Sequence, residues 1–151
     1  MRPGFSMIEL LFVLIIGSVL MGMAVSGSGT YLARKGARDA RDMFVYMATH
    51  ARTAAIERGT DVRLVVDAST ERMVIRTGST GSGGIGGEIQ LRECGARVTM
   101  TGGSSLTICY NPRGFAKETC STNIGDTEVT FTRGGFSESA TVRGLGQVKR
   151  K

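Results

Sequence analysis

Glu9 sits where a carboxylate is costly. From Phe5 to Val25 run 21 residues of which Glu9 is the only one with a formal charge. Coiled as a helix at about 1.5 Å per residue, that run is roughly 31 Å long, close to the roughly 30 Å of bilayer hydrocarbon. A carboxylate in hydrocarbon costs on the order of 3 kcal/mol unless it is neutralised or paired, so an acid there asks for a function. The plainer account is that Glu9 reaches the interface, being less than a turn and a half from Phe5. No cation inside the run can pair with it. A cut between Gly4 and Phe5, however, would give Phe5 an amine, and the carboxylate of one chain can pair with the amine of another. A secretory signal cut near Ala24-Val25-Ser26 fits less well, because its apolar region is usually roughly 7 to 15 residues long and carries no acid.

The other residues able to do chemistry are few. Cys94, Cys109 and Cys120 leave one thiol over in an oxidised domain. Cys109 with Cys120 closes a short loop that would add roughly 3 kcal/mol by the chain-entropy model. Cys94 with Cys109 is the alternative, and sequence does not choose between them. His50 is the single histidine and there is no C-x-x-C, so no metal site and no Cys–His catalytic pair is expected. The acids Asp67, Glu71, Asp126 and Glu128 are scattered, giving no general acid and base that spacing can place together. No catalytic residue and no small-molecule cofactor is expected.

Gly81, Gly83 and Gly86 spell G-x-G-x-x-G within TGSTGSGGIGG. A dinucleotide site needs a helix next, whose N-terminus holds the pyrophosphate, and Glu88-Ile89-Gln90-Leu91 alternates like a strand instead. There is no Gly-Lys-Ser/Thr either, so the stretch reads as a flexible loop between strands. Two basic groups remain. Arg34, Lys35, Arg38 and Arg41 could meet phosphate, but Asp39 and Asp42 interrupt them and a solvated helix face is the better reading. Arg143, Lys149, Arg150 and Lys151 at the C-terminus could neutralise phosphates without reading sequence, or could form a solubilising tail.

The elements that must position these residues follow from periodicity. After the apolar run, about 125 residues remain, enough for one core. The net charge of +6 suits an anionic partner without selecting one, and 22 glycines imply many turns. Tyr31 to Arg58 continues the helix as an amphipathic one: Ala37, Ala40, Phe44, Met47, Ala48, Ala51 and Ala55 fall on one face. Its alanines allow a sheet to approach closely, and Arg58-Gly59 ends it. Beyond Gly59 the period becomes two. Strands are expected around Val62–Val66, Met73–Ile75, Ile89–Leu91, Val98–Met100, Leu106–Ile108, Val129–Phe131 and Ala140–Val142. Asn111-Pro112-Arg113-Gly114 reads as a type I turn. The economical arrangement is α+β, a long N-terminal helix packed on a small antiparallel sheet.

The leader residues carry a resemblance. Arg2-Pro3-Gly4 followed by Phe5-Ser6-Met7-Ile8-Glu9-Leu10-Leu11 resembles the prepilin leader and cleavage site of type IV pilins and type II secretion pseudopilins. The resemblance implies a membrane peptidase that cuts after Gly4, methylation of the new amine at Phe5, and a role for Glu9 in inserting the subunit into a growing filament. Where many pilins have a proline, this chain has Ser26-Gly27-Ser28-Gly29. "ARTAAIERGTDVRLVVD", "LTICYNPRGFA" and "ATVRGLGQVKRK" are similar in layout to GspH- and FimT-like minor pilins and pseudopilins. The implied organisation is a leader at 1–4, a transmembrane half-helix at 5–25, an amphipathic half at 30–58 and a β-sheet domain at 59–151. The implied partners are other pilin or pseudopilin subunits, the prepilin peptidase and the bacterial inner membrane, with the domain in the periplasm. A second implied function, known among FimT-like proteins, is DNA capture for uptake by Arg143, Lys149, Arg150 and Lys151. The family pattern Gly-Arg-x-Arg is departed from here, since Gln147 stands at its first arginine.

Overall fold

The structure is a computed structural model that describes residues 6–78, 83–122 and 125–151, with no side-chain description for 23–28. Gly4, Phe5 and Gly81 therefore lie outside the described residues, as do the side chains of Val25 and Ser26 to Ser28. The chain forms two compact units, Met1–Leu32 and Ala33–Lys151. The first contains the start of a helix, α1, assigned over Met7–Arg58. The backbone of Ser26 to Gly29 is helical within it.

In the second unit the helix buries one face. Ala37, Ala40, Phe44, Met47, Ala48, Ala51, Ala54 and Ala55 are all buried, at the three-and-four spacing that the sequence sets out. Six alanines over about five turns would bury little if they were not held against a sheet. Phe44 supplies the bulk, its ring centroid 5.8 Å from that of Phe131.

Two antiparallel sheets take the place of the single one expected. The strands are β1 (Val62–Asp67), β2 (Arg72–Thr77), β3 (Gly83–Gly84), β4 (Ile89–Gln90), β5 (Arg97–Met100), β6 (Ser105–Tyr110), β7 (Thr127–Arg133), β8 (Phe136–Val142) and β9 (Val148–Arg150). Among the described residues the first sheet runs β3-β2-β1-β6, with β4 also on β2, and the second runs β5-β7-β8-β9. Register follows from burial. Leu64 lies opposite Ile75 on one side and Ile108 on the other, and all three are buried. A slip of one residue would turn these side chains to solvent. In the second sheet Phe131 opposes Val98, and Val129 opposes Ala140.

Three local expectations are corrected. Leu91 does not extend a strand: it opens a 3-10 turn, Leu91–Cys94, closed by Gly95 at φ 63°. Its side chain is fully buried, which a turn over the core achieves as well as a strand does. The glycine-rich segment is not wholly a free loop, because Gly83 and Gly84 pair with Thr77 and Arg76, and Ile85 is buried. The basic C-terminus is not a loose tail either. Val148–Arg150 is an edge strand, with Thr141 opposite Lys149 and Ala140 opposite Arg150.

Candidate assembly site and basic surfaces

Glu9 stands in the first turn of α1, where the Glu9 and Leu10 amides donate to the Ser6 carbonyl at 3.0 and 3.3 Å. An acid is favoured there by the unpaired amides and dipole of a helix start. Around it every described side chain of the first unit is exposed. Ile8, Leu10, Leu11, Phe12, Val13, Leu14, Ile15 and Ile16 are each more than half accessible. A continuous run of eight large apolar side chains in this state contrasts with the second unit, where such residues are scattered and the helix's alanines from Ala37 to Ala55 are mostly covered. The surface is built to be buried in something else. Among the described residues no cation is paired with Glu9. Ser18 spends its hydroxyl on the Ile15 carbonyl at 2.8 Å, which removes a polar group from the same surface. Among the described residues, no helix is long and apolar enough to cross a membrane. Within the apolar run, the helical residues whose side chains are described, 7 to 22, would be about 24 Å long at helical rise.

The upper basic group proves to be structural. Glu138 on β8 accepts from Arg38 Nε at 3.0 Å and from Arg41 Nη1 at 2.5 Å. Arg41 also reaches Asp42 at 3.1 Å, and Asp42 lies 3.4 Å from Arg150 Nε on β9. The Arg34 guanidinium sits 5.1 Å from the centre of the Phe136 ring, within cation–π range. Three of the four cations expected on a solvated face thus tie α1 to the second sheet. Glu138 was not among the acids that the sequence brought forward, because its partners lie about a hundred residues away.

The C-terminal group is split. Lys151 Nζ lies 3.2 and 3.3 Å from the two Glu128 oxygens. A hydrogen bond from Ser139 and then the Lys151 charge hold the Glu128 carboxyl below the usual range. Arg150 is engaged by Asp42, as above. Arg143 and Lys149 enter no ion pair among the described residues and line a cavity of about 360 Å³ with Arg52 and Tyr110. Half of the proposed phosphate-binding set is therefore neutralised within the fold.

The rest of the candidate residues serve the architecture. Cys109 and Cys120 are joined, with Cα atoms 5.8 Å apart, and Cys94 is free and partly buried. The Cys94 carbonyl accepts from Arg133 Nη1, whose guanidinium lies against Gly36 of α1. A Cβ at Gly36 would fall 2.2 Å from that nitrogen, so glycine makes room for the arginine. Tyr110 is buried and donates to the Gly146 carbonyl at 2.8 Å. Burial pushes its phenol up to about 12. His50 is exposed beside the Tyr46 ring. Among the described residues no group of three or more His, Cys, Asp or Glu side chains could hold a metal ion.

Residues 2–25 match the family model described as the prokaryotic N-terminal methylation motif. In three dimensions the chain is similar to the minor pseudopilin EpsH from the type II secretion system of Vibrio cholerae. The two are 15% identical with a TM-score of 0.56, over 76% of this chain and 95% of EpsH. It is equally similar to the type IV minor pilin FimU of Pseudomonas aeruginosa strain PAO1, at 13% identity and a TM-score of 0.56, over 80% of this chain and 92% of FimU. A second EpsH structure gives 14% identity and the same TM-score. No curated protein matches by sequence. The fold is the type IV pilin-like α+β fold of minor pilins and pseudopilins.

Proposed function

We propose that this chain is a minor pilin or pseudopilin, a subunit of the GspH and FimT type that enters a type IV pilus or a type II secretion filament through its N-terminal helix. In this reading a prepilin peptidase cuts after Gly4 and the amine of Phe5 is methylated. Residues 5–25 hold the subunit in the bacterial inner membrane until assembly, with the β-sheet domain in the periplasm. The observation that carries the reading is Glu9. It is a carboxylate unpaired among the described residues, on an uncovered apolar helix, inside a match to the methylation motif, on a chain with the fold of minor filament subunits.

The physical step is a transfer of partners. In lipid, Glu9 is held at a cost on the order of 3 kcal/mol. In a filament, the apolar faces of neighbouring helices cover one another, and Glu9 meets the amine of Phe5 from an adjacent subunit. The same charge that is unfavourable in the membrane becomes half of an ion pair, which draws the subunit out and sets its register. The role is structural, and no catalytic residue or cofactor is assigned.

The DNA-capture reading finds no support in the comparisons. The pairing of Arg150 with Asp42 and of Lys151 with Glu128 also leaves too few free cations along the C-terminal strand to follow a phosphate backbone. The proposal is tested by Glu9→Ala in the full chain. Cleavage and membrane insertion are expected to be retained while recovery of the subunit in sheared or co-purified filaments falls at least several-fold. Undiminished recovery would overturn it.

A further inference from the structure

The cavity beside Tyr110 is left unused by the role above. Three cations from three places in the chain converge on it: Arg52 from α1, Arg143 from the end of β8 and Lys149 from β9. All three are exposed. Among the described residues no carboxylate lines the cavity and none of the three enters an ion pair, whereas the neighbouring Arg150 and Lys151 are both paired. Thr49 and Gln147 add polar groups to the wall, and the floor is fixed by the Tyr110 hydroxyl on the Gly146 carbonyl. Three like charges held around one space repel each other unless an anion enters it.

An apolar ledge adjoins the same surface. Ile56 lies one turn beyond Arg52 on α1, and both approach Gly114, whose φ is +78°. The next residue, Phe115, is 48% exposed, and Ile56 is 51% exposed. The Ala116 amide donates to the carbonyl of Leu145, which is 60% exposed, so the third apolar side chain comes from the turn that also carries Gly146. Three exposed apolar residues from distant parts of the chain thus belong to the segments next to the cationic cavity, which Arg52 and Gly146 themselves line.

We infer that this surface receives an acidic side chain, Asp or Glu, flanked by an apolar residue, from a neighbouring pilin-type subunit. The inference rests on the filament-subunit reading and specifies one contact within it. A cavity of about 360 Å³ accommodates one carboxyl-bearing side chain, with two arginines able to offer paired N–H donors to its oxygens and the lysine supplying a third contact. A nucleic-acid strand would need cations spaced along a track. Here the cations close on a single point, and those beside them are neutralised.

The test is zero-length crosslinking with a water-soluble carbodiimide on membranes and filaments from cells expressing the full chain, followed by peptide mapping. The reagent joins a lysine amine to a carboxylate in direct contact, so Lys149 is its handle. Lys151 with Glu128 provides an internal control within one chain. The expected result is a peptide joining Lys149 to an Asp or Glu of another subunit. Its yield should drop at least fivefold in Arg143→Gln and in Arg52→Gln, with the Lys151–Glu128 product unchanged. Co-purification of the chain with filaments but no intermolecular Lys149 product would overturn this inference and leave the filament role standing. Ultraviolet crosslinking of the same surface to nucleic acid, without a carboxylate product, would overturn it in favour of that partner. Failure of the chain to enter filaments at all would overturn both.

Discussion

Tyr110 and Glu9 mark the two ways a single residue carries this molecule. The phenol of Tyr110 is buried, and its hydroxyl proton goes to the Gly146 carbonyl at 2.8 Å, tying β6 to the turn before β9. Tyr110→Phe should cost about 1 kcal/mol, the net worth of one such bond, read as a lowered midpoint in urea. Its alkaline behaviour has a definite sign. Burial raises the folded phenol to about 12, above its ordinary value near 10. The fold favours the neutral form, so this contribution is complete below pH about 10 and is lost as pH rises towards 12. Stability of the wild type should fall across that window more steeply than that of Tyr110→Phe, and equal slopes would contradict the assignment. Glu9 acts outward instead. Glu9→Gln keeps the shape of the side chain and removes its charge, so it should lower filament incorporation as Ala does. Full activity of Gln would mean that shape, not charge, is recognised.

Between residues lie the elements, and here sequence and structure can be compared particular by particular. The buried face of α1 was readable because helical spacing is a local property: Ala37, Ala40, Phe44, Met47, Ala48, Ala51 and Ala55 all fall inside. The longer strands were readable for the same reason. What local pattern does not hold is pairing over distance. The bond of Glu138 to Arg38 and Arg41, the seat of Arg133 against Gly36, and the strand made by Val148–Arg150 all depend on residues far along the chain. Charge pattern alone gives a solvated face for Arg38 and Arg41, and a solubilising tail as one reading of the C-terminal cations. The break at Leu91 has the same origin, since a buried leucine satisfies strand and turn alike. Two predictions belong at this scale. Phe44→Ala removes the largest buried side chain on the alanine-rich face of the helix and should cost about 3–5 kcal/mol in the chemical denaturation of the second unit. Glu138→Ala leaves Arg38 and Arg41 without their acceptor. Arg41 is only 13% exposed while Arg38 is 57% exposed, so a loss of about 1–3 kcal/mol is expected, most of it from Arg41.

For the molecule as a whole, the two units solve opposite problems. The second closes on its own core, and its disulfide between Cys109 and Cys120 spans 11 residues of sequence. Replacing both with Ala should lower stability by about 3 kcal/mol on the chain-entropy model, visible as a reduced melting temperature under oxidising conditions. The first unit buries none of its described side chains and keeps a carboxylate uncovered among them. In the proposed role, lipid and then neighbouring helices cover this surface. The methylation motif was legible through the family resemblance that Gly4-Phe5 and Glu9 carry, since so local a motif needs no fold to be recognised. The cationic cavity was not, because Arg52 and Lys149 come together only once α1 and β9 are in place. The central claim, that cutting after Gly4 creates the amine for which Glu9 waits, is tested most directly by intact mass and N-terminal fragmentation of the chain extracted from membranes. A first residue of N-methylated Phe5 is predicted, and a chain that still begins at Met1, or starts beyond Ser26, would contradict it.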